Sequence, residues 1–109
     1  MLLLLLLPAI RIASCVLSAR PMPNKEQQAA LRMSGDKIVA AIEDWSARNG
    51  RYPETLEQAG ITIAPTKNGS WGYSLRTDGK SFQLSMGEYD VDGWVLYWDS
   101  REHEWGLDT

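Results

Sequence analysis

The sequence predicts an α+β domain: a long N-terminal helix packed on a small antiparallel sheet of about four strands. Three observations carry that expectation. Apolar residues recur at helix spacing from Asn24 to Arg48, and the period turns to that of strands after Asn49-Gly50-Arg51-Tyr52-Pro53. Downstream, Asp78-Gly79 is a favoured two-residue turn between alternating segments.

The composition is that of an ordinary globular chain. Its 109 residues are 44% hydrophobic and 23% charged, enough for one domain with a modest core. Five Trp and four Tyr stand against one Phe, and all but Trp45 lie at or beyond Tyr52, so the core is expected to be aromatic and shallow. The formal net charge of -3 and the scatter of the basic residues argue against a nucleic-acid partner. Cys15 is the only cysteine and His103 the only histidine, which excludes an internal disulfide and a Cys/His zinc site.

Residues 1–23 read as a signal or membrane-anchor segment, and residues 24–109 as the folded domain. Met1 to Leu17 is apolar apart from Arg11 and Ser14, and it opens on six leucines that show no amphipathic period. Three readings are open. In one, Ile12-Ala13-Ser14-Cys15 is a lipobox, with Cys15 becoming the lipid-bearing N-terminus. In another, the segment is uncleaved and spans the bilayer, slightly short of the roughly 20 apolar residues a span takes, with Arg11 reaching for the interface. In the third, the start lies downstream of the natural one and part of a leader is missing. Ordinary cleavage of an export signal remains open beside them. Export or membrane attachment is common to all of them, which puts the domain in the periplasm or on the outer face of a bacterial envelope; the expected partners are the membrane, through the N-terminal segment, and other proteins.

Asn24 followed by Gln27 is a capping box opening the long helix. Leu31, Ile38 and Trp45 recur every seven residues, with Ser34, Ala41 and Ile42 on the same side, which predicts a stripe landing on the sheet. Gly35 is a weak point, costing about 1 kcal/mol relative to Ala inside a helix; a kink or a later helix start is expected there. Asn49 or Gly50 takes the left-handed conformation that ends the helix. Pro53 to Ala59 is then expected as two turns of a second helix, stopped by Gly60, with Leu56 and Ala59 inward. Ile61 to Pro65 reads as extended, and Thr66 to Ser70 as a loop.

Placing Asp78-Gly79 at the turn pairs Leu75 with Phe82, Tyr73 with Leu84 and Trp71 with Met86, all on one face. Turn chemistry and apolar pattern thus select the same register independently. A second hairpin, turning between Ser100 and His103, sets Trp98 opposite Trp105 and Leu96 opposite Leu107, with Trp94 on the same side. Glu88 to Gly93 connects the two hairpins, partly extended.

The order helix, Gly50-Arg51-Tyr52-Pro53, Glu54-Thr55-Leu56-Glu57, then sheet resembles the globular part of type IV pilin-like proteins, and in particular the major pseudopilins of type II secretion. The resemblance runs from about Leu31 to Thr109 and is most specific at Trp45, at Asn49 to Pro53 and at Leu56. Trp71-Gly72-Tyr73, Phe82-Gln83-Leu84 and the stretch from Tyr97 to Trp105 extend it. It implies a pilin-like domain with a structural, non-enzymatic task, possessed of protein partners in secretion or pilus-type assembly. A pilin leader ending in Gly, followed by Phe or Met and then a Glu at the fifth mature position, is not in this sequence, so the expectation is a stand-alone anchored protein.

Candidate sites are few. Because major pseudopilins bind calcium late in the sheet, the resemblance implies a weak calcium candidate at Asp90 and Asp92; a plain turn is the competing reading. Trp94, Trp98 and Trp105 are either core or an exposed surface for a glycan or peptide, and that binding module is the alternative to the envelope-structure reading. Asp99, Ser100 and His103 have the residue types of a hydrolase triad, but they sit in one hairpin turn without a nucleophile elbow, so no catalytic residues are expected.

Overall fold

A computed structural model describes residues 20–109. Its elements are α1 (Lys25–Asn49), β1 (Trp71–Leu75), β2 (Phe82–Met86), the single-turn helix α2 (Tyr89–Asp92), β3 (Val95–Asp99) and β4 (Glu104–Asp108). The strands form one antiparallel meander in the order β1-β2-β3-β4. The chain is α+β, as expected. Its long helix opens the described domain at Lys25 and is not N-terminal in the chain, a correction to the sequence reading. No helix among the described residues is long and apolar enough to cross a membrane. Cys15, Arg11 and the rest of the apolar segment lie outside the described residues.

The ends of α1 follow from local chemistry. The Asn24 side chain accepts from the Gln27 amide at 2.8 Å, and the Gln27 side chain accepts from the Asn24 amide at 2.9 Å, completing the capping box. Gly50 closes the helix with φ 75, its amide donating to the Ser46 carbonyl at 2.8 Å.

The buried side of α1 is Leu31, Gly35 and Ile42, supported by the partly buried Ile38 and Val39. This stripe is rotated from the expected one. Ser34 and Ala41 are exposed, and Trp45 is half-buried at the edge, where the Arg51 guanidinium lies 5.3 Å from its ring centroid. Gly35 neither kinks the helix nor starts it. A Cβ there would overlap the tip of the Trp105 indole and sit 3.1 Å from that of Trp71, so the residue is a slot for two rings. Those rings come from the two edge strands, whose backbones are roughly 14 Å apart at normal strand spacing. Their centroids nevertheless lie 5.7 Å apart, so the sheet wraps its covered face around the helix.

Both hairpin registers match the sequence reading. Trp71 pairs with Met86, Tyr73 with Leu84 and Leu75 with Phe82, while Leu96 pairs with Leu107 and Trp98 with Trp105. Between them Leu84 pairs with Trp98 and Met86 with Leu96, so one face is apolar across all four strands. Phe82, Leu84, Met86, Trp94 and Leu96 are almost fully buried on it.

The connections differ from expectation. Residues 53–59 form turns instead of a second helix: the Thr55 hydroxyl accepts from the Gln58 amide, the Gln58 side chain accepts from the Glu54 amide, and these bonds replace a helical ladder. Leu56 and Ala59 are still partly buried. The expected extended link between the hairpins is instead α2, closed by Gly93 at φ 79.

Candidate functional site

Two places gather polar chemistry around a side chain that backbone amides recruit, and a third is aromatic. The first is the turn after β3. Asp99 is buried, and its two oxygens accept a forked pair from Arg76 at 3.1 and 2.7 Å. Its Oδ1 also accepts from the Arg101 amide at 2.9 Å. Burial pushes the Asp99 carboxyl up, but the Arg76 fork and the Arg101 amide outweigh that and hold it below the usual carboxylate range. The neighbouring Ser100 Oγ accepts from the Phe82 amide at 2.8 Å, and the Ser100 amide donates to the Phe82 carbonyl at 3.1 Å, prolonging the β2–β3 ladder. His103, at φ 53 in the turn, packs edge-on to Trp98 with ring centroids 6.0 Å apart. Among the described residues no hydrogen bond joins the side chains of Asp99, Ser100 and His103. Asp99 and Ser100 spend their polar side-chain atoms on the fold, and His103 is an exposed turn residue.

The second place is the corner where the chain enters the domain. Asp92 Oδ1 accepts from the Arg20 amide at 2.8 Å and Oδ2 from the Glu88 amide at 2.9 Å, with the Arg20 guanidinium 3.9 Å away. The Trp94 indole N–H closes the loop by donating to the Arg20 carbonyl at 3.0 Å. The Arg20 and Glu88 amides are the main cause that holds the Asp92 carboxyl below its ordinary value. Asp92 has a side chain only 1% exposed, whereas Asp90 lies in the open. Of the two residues expected as a calcium candidate, Asp92 is thus shared among N–H donors beside a guanidinium, and Asp90 is exposed. Among the described residues no cluster of three or more His, Cys, Asp or Glu forms.

The third is the tryptophan-bearing face. Trp94 is 1% exposed and belongs to the core. Trp98 and Trp105 are half-buried, 5.8 Å apart between centroids, and pack against that core on the side of the sheet covered by α1. Trp105 donates its indole N–H to Asp36 of the helix at 2.9 Å. The sheet brings the three residues to one face, as the register demanded, and that face carries the helix. Beside it an open groove of about 380 Å³ runs between α1 and residues 61–66, lined by Ile38, Ala41, Ile61, Ile63 and Ala64 with Trp71 at its side.

Sequence reasoning missed Arg20 as an anchoring residue. Its partner Asp92 is 72 positions away, and neither a period nor a motif links the two. Comparison with protein-family models, with curated proteins and with solved structures finds no match.

Proposed function

We propose that this chain is a non-enzymatic envelope protein: an N-terminal membrane attachment, by lipid on Cys15 or by the apolar segment itself, carrying a pilin-like α+β domain on the extracytoplasmic side. It acts through contacts with other proteins. The observation that carries this reading is the coupling of an apolar leader, Met1 to Leu17, to a domain that grips the chain three residues later, at Arg20. The polar groups with most chemical promise add support, because Asp99, Ser100 and Asp92 are each engaged by backbone amides or Arg76. The helix followed by a four-stranded meander is the layout that the resemblance to pseudopilins implies.

Crosslinking in intact bacteria, followed by purification under denaturing conditions, tests it. A discrete adduct larger than the chain, lost when the apolar segment is deleted, is the expected outcome. A chain that is never crosslinked to protein, at expression levels where a known envelope complex is captured, would sink the reading.

A further inference from the structure

The two edges of the sheet are finished differently. Beside β1, residues 54–57 and 61–63 come up to Trp71 and Tyr73. At β4, the last strand, Leu107 is 38% exposed although its cross-strand neighbour Leu96 is 1% exposed. The backbone there is open too. The Ser100 amide bonds to Phe82, so the alternation of an antiparallel ladder turns Leu96 and Trp98 toward β2, and Val95, Tyr97 and Asp99 toward β4. Glu104, Gly106 and Asp108 then bond inward, and the N–H and C=O groups of Trp105 and Leu107 face outward. Among the described residues no backbone group bonds to that outer side. We infer that the edge of β4 is a docking strand, joined by an extended, basic segment of another protein that adds to the sheet.

The inference rests on the protein-contact reading proposed above and names the chemistry of the partner. At a sheet edge the main chain supplies affinity and the side chains supply selection. On the uncovered face Glu104 and Asp108 stand exposed on either side of Gly106, and neither has an ion-pair partner among the described residues. The Tyr97 ring lies over Gly106, where a Cβ would overlap its hydroxyl end, so a phenol sits between the two carboxylates. These charges bar a second copy of the chain. Two β4 strands paired antiparallel about Gly106 would set Glu104 against Asp108 twice, in the narrow pairs whose Cα atoms lie about 4.5 Å apart, where like charges are destabilising. The same positions favour Lys or Arg on an incoming strand. On the covered face that strand needs apolar side chains, which would lie beside Leu107 and Trp105. The matching segment therefore alternates: basic, apolar, small, apolar, basic. The chain's net charge of -3 also draws a basic segment in.

The test uses the full chain in zwitterionic detergent, with amide hydrogen exchange read residue by residue by NMR. The probes are capped peptides built on Lys-Val-Thr-Val-Lys and on Glu-Val-Thr-Val-Glu. With the lysine peptide at about 1 mM, exchange at the Trp105 and Leu107 amides should slow at least about threefold, while the Tyr73 amide on the opposite edge keeps its rate. The glutamate peptide should leave all three unchanged. In the double variant Glu104→Lys with Asp108→Lys, both changes being at exposed positions, the preference should reverse. Equal protection by both peptides would overturn the basic partner, and protection at Tyr73 alone would overturn the assignment to β4. No protection by either peptide, in a chain that does form the crosslinked adduct described above, would remove the docking edge and leave the protein-contact reading standing. Protection at β4 in a chain never crosslinked in bacteria would uphold the edge and remove that reading.

Discussion

The two corners at which α1 meets the sheet are fastened by opposite chemistries. Past the C-terminal end of α1, Tyr52 meets Phe82 edge-on at 5.0 Å, Tyr73 lies 5.4 Å from the same ring, and the Tyr73 hydroxyl donates to the Pro53 carbonyl at 2.6 Å. Before its N-terminal end, the Arg20 backbone is held by Asp92 and Trp94, and the Gln28 side-chain Nε2 donates to the Pro23 carbonyl at 2.9 Å. One corner is an extension of the core that turns the chain from helix to sheet. The other is a latch in which a buried carboxylate accepts from backbone amides, at the place where the chain enters the domain. The difference is one of cooperativity: removing aromatic packing should loosen the whole domain, whereas opening the latch should loosen its doorway.

Phe82→Ala should produce the largest change. It takes the shared ring from under both tyrosines and should cost about 3–5 kcal/mol, read as a lower urea midpoint with one cooperative transition. A loss below about 1 kcal/mol would mean that Tyr52 and Tyr73 hold the corner without it. Asp92→Ala should cost less overall, about 1–3 kcal/mol, and its signature is local: faster hydrogen exchange at the Arg20 and Glu88 amides, with the β2 amides unchanged. If exchange rises equally across the sheet, the latch is part of the core and the contrast between the corners collapses.

How far these corners could be read in advance follows the same division. The aromatic corner was legible because its parts are local or periodic. Gly50-Arg51-Tyr52-Pro53 announces a helix end, and the Asp78-Gly79 turn fixes Tyr73 and Phe82 on one face by counting in twos. The latch was not legible, since a backbone N–H at Arg20 has no side-chain signature and its acceptor lies across the fold. Gly35 shows a middle case. Its poor helix propensity was visible, but its purpose was not, because the two indoles that need the slot arrive from the opposite edges of the sheet. Residues 53–59 were misread for a different reason: Thr55 and Gln58 satisfy backbone amides with their own side chains, which competes with the helix their neighbours favour.

Gly35→Ala sharpens the account of the middle of the helix. The new methyl gains about 1 kcal/mol of helix propensity but must displace an indole hydrogen-bonded to Asp36, so a net loss of about 1 kcal/mol is expected in thermal melts. A stabilised variant would show that Trp105 swings aside freely. Tyr73→Phe, a change of similar size, removes the bond to the Pro53 carbonyl and should cost about 1 kcal/mol in the same melts.

The corners should also part company with pH. Burial, reinforced by the Glu43 carboxylate, pushes the Tyr52 and Tyr73 hydroxyls up to about 12. Above pH 10 the unfolded chain gives up these protons first, so stability complete below pH 10 should decline between pH 10 and about 12. Asp92 is shifted the other way. Its contribution is present above the ordinary value of 3.8 and lost as the pH falls through its lower folded value. Acid should therefore lower the protection of the Arg20 amide relative to its intrinsic exchange rate at the same pH, and alkali should expose Tyr52. A latch indifferent to acid would contradict the role given to the Asp92 carboxylate.

The measurement that bears most directly on the central claim is fractionation of bacteria expressing the full chain, with a carbonate wash of the membranes and protease added to spheroplasts. An envelope-anchored protein with its domain outside the cytoplasm should stay with the washed bilayer and be digested in intact spheroplasts. A chain recovered in the wash, or one that survives the protease until the inner membrane is lysed, would contradict the account.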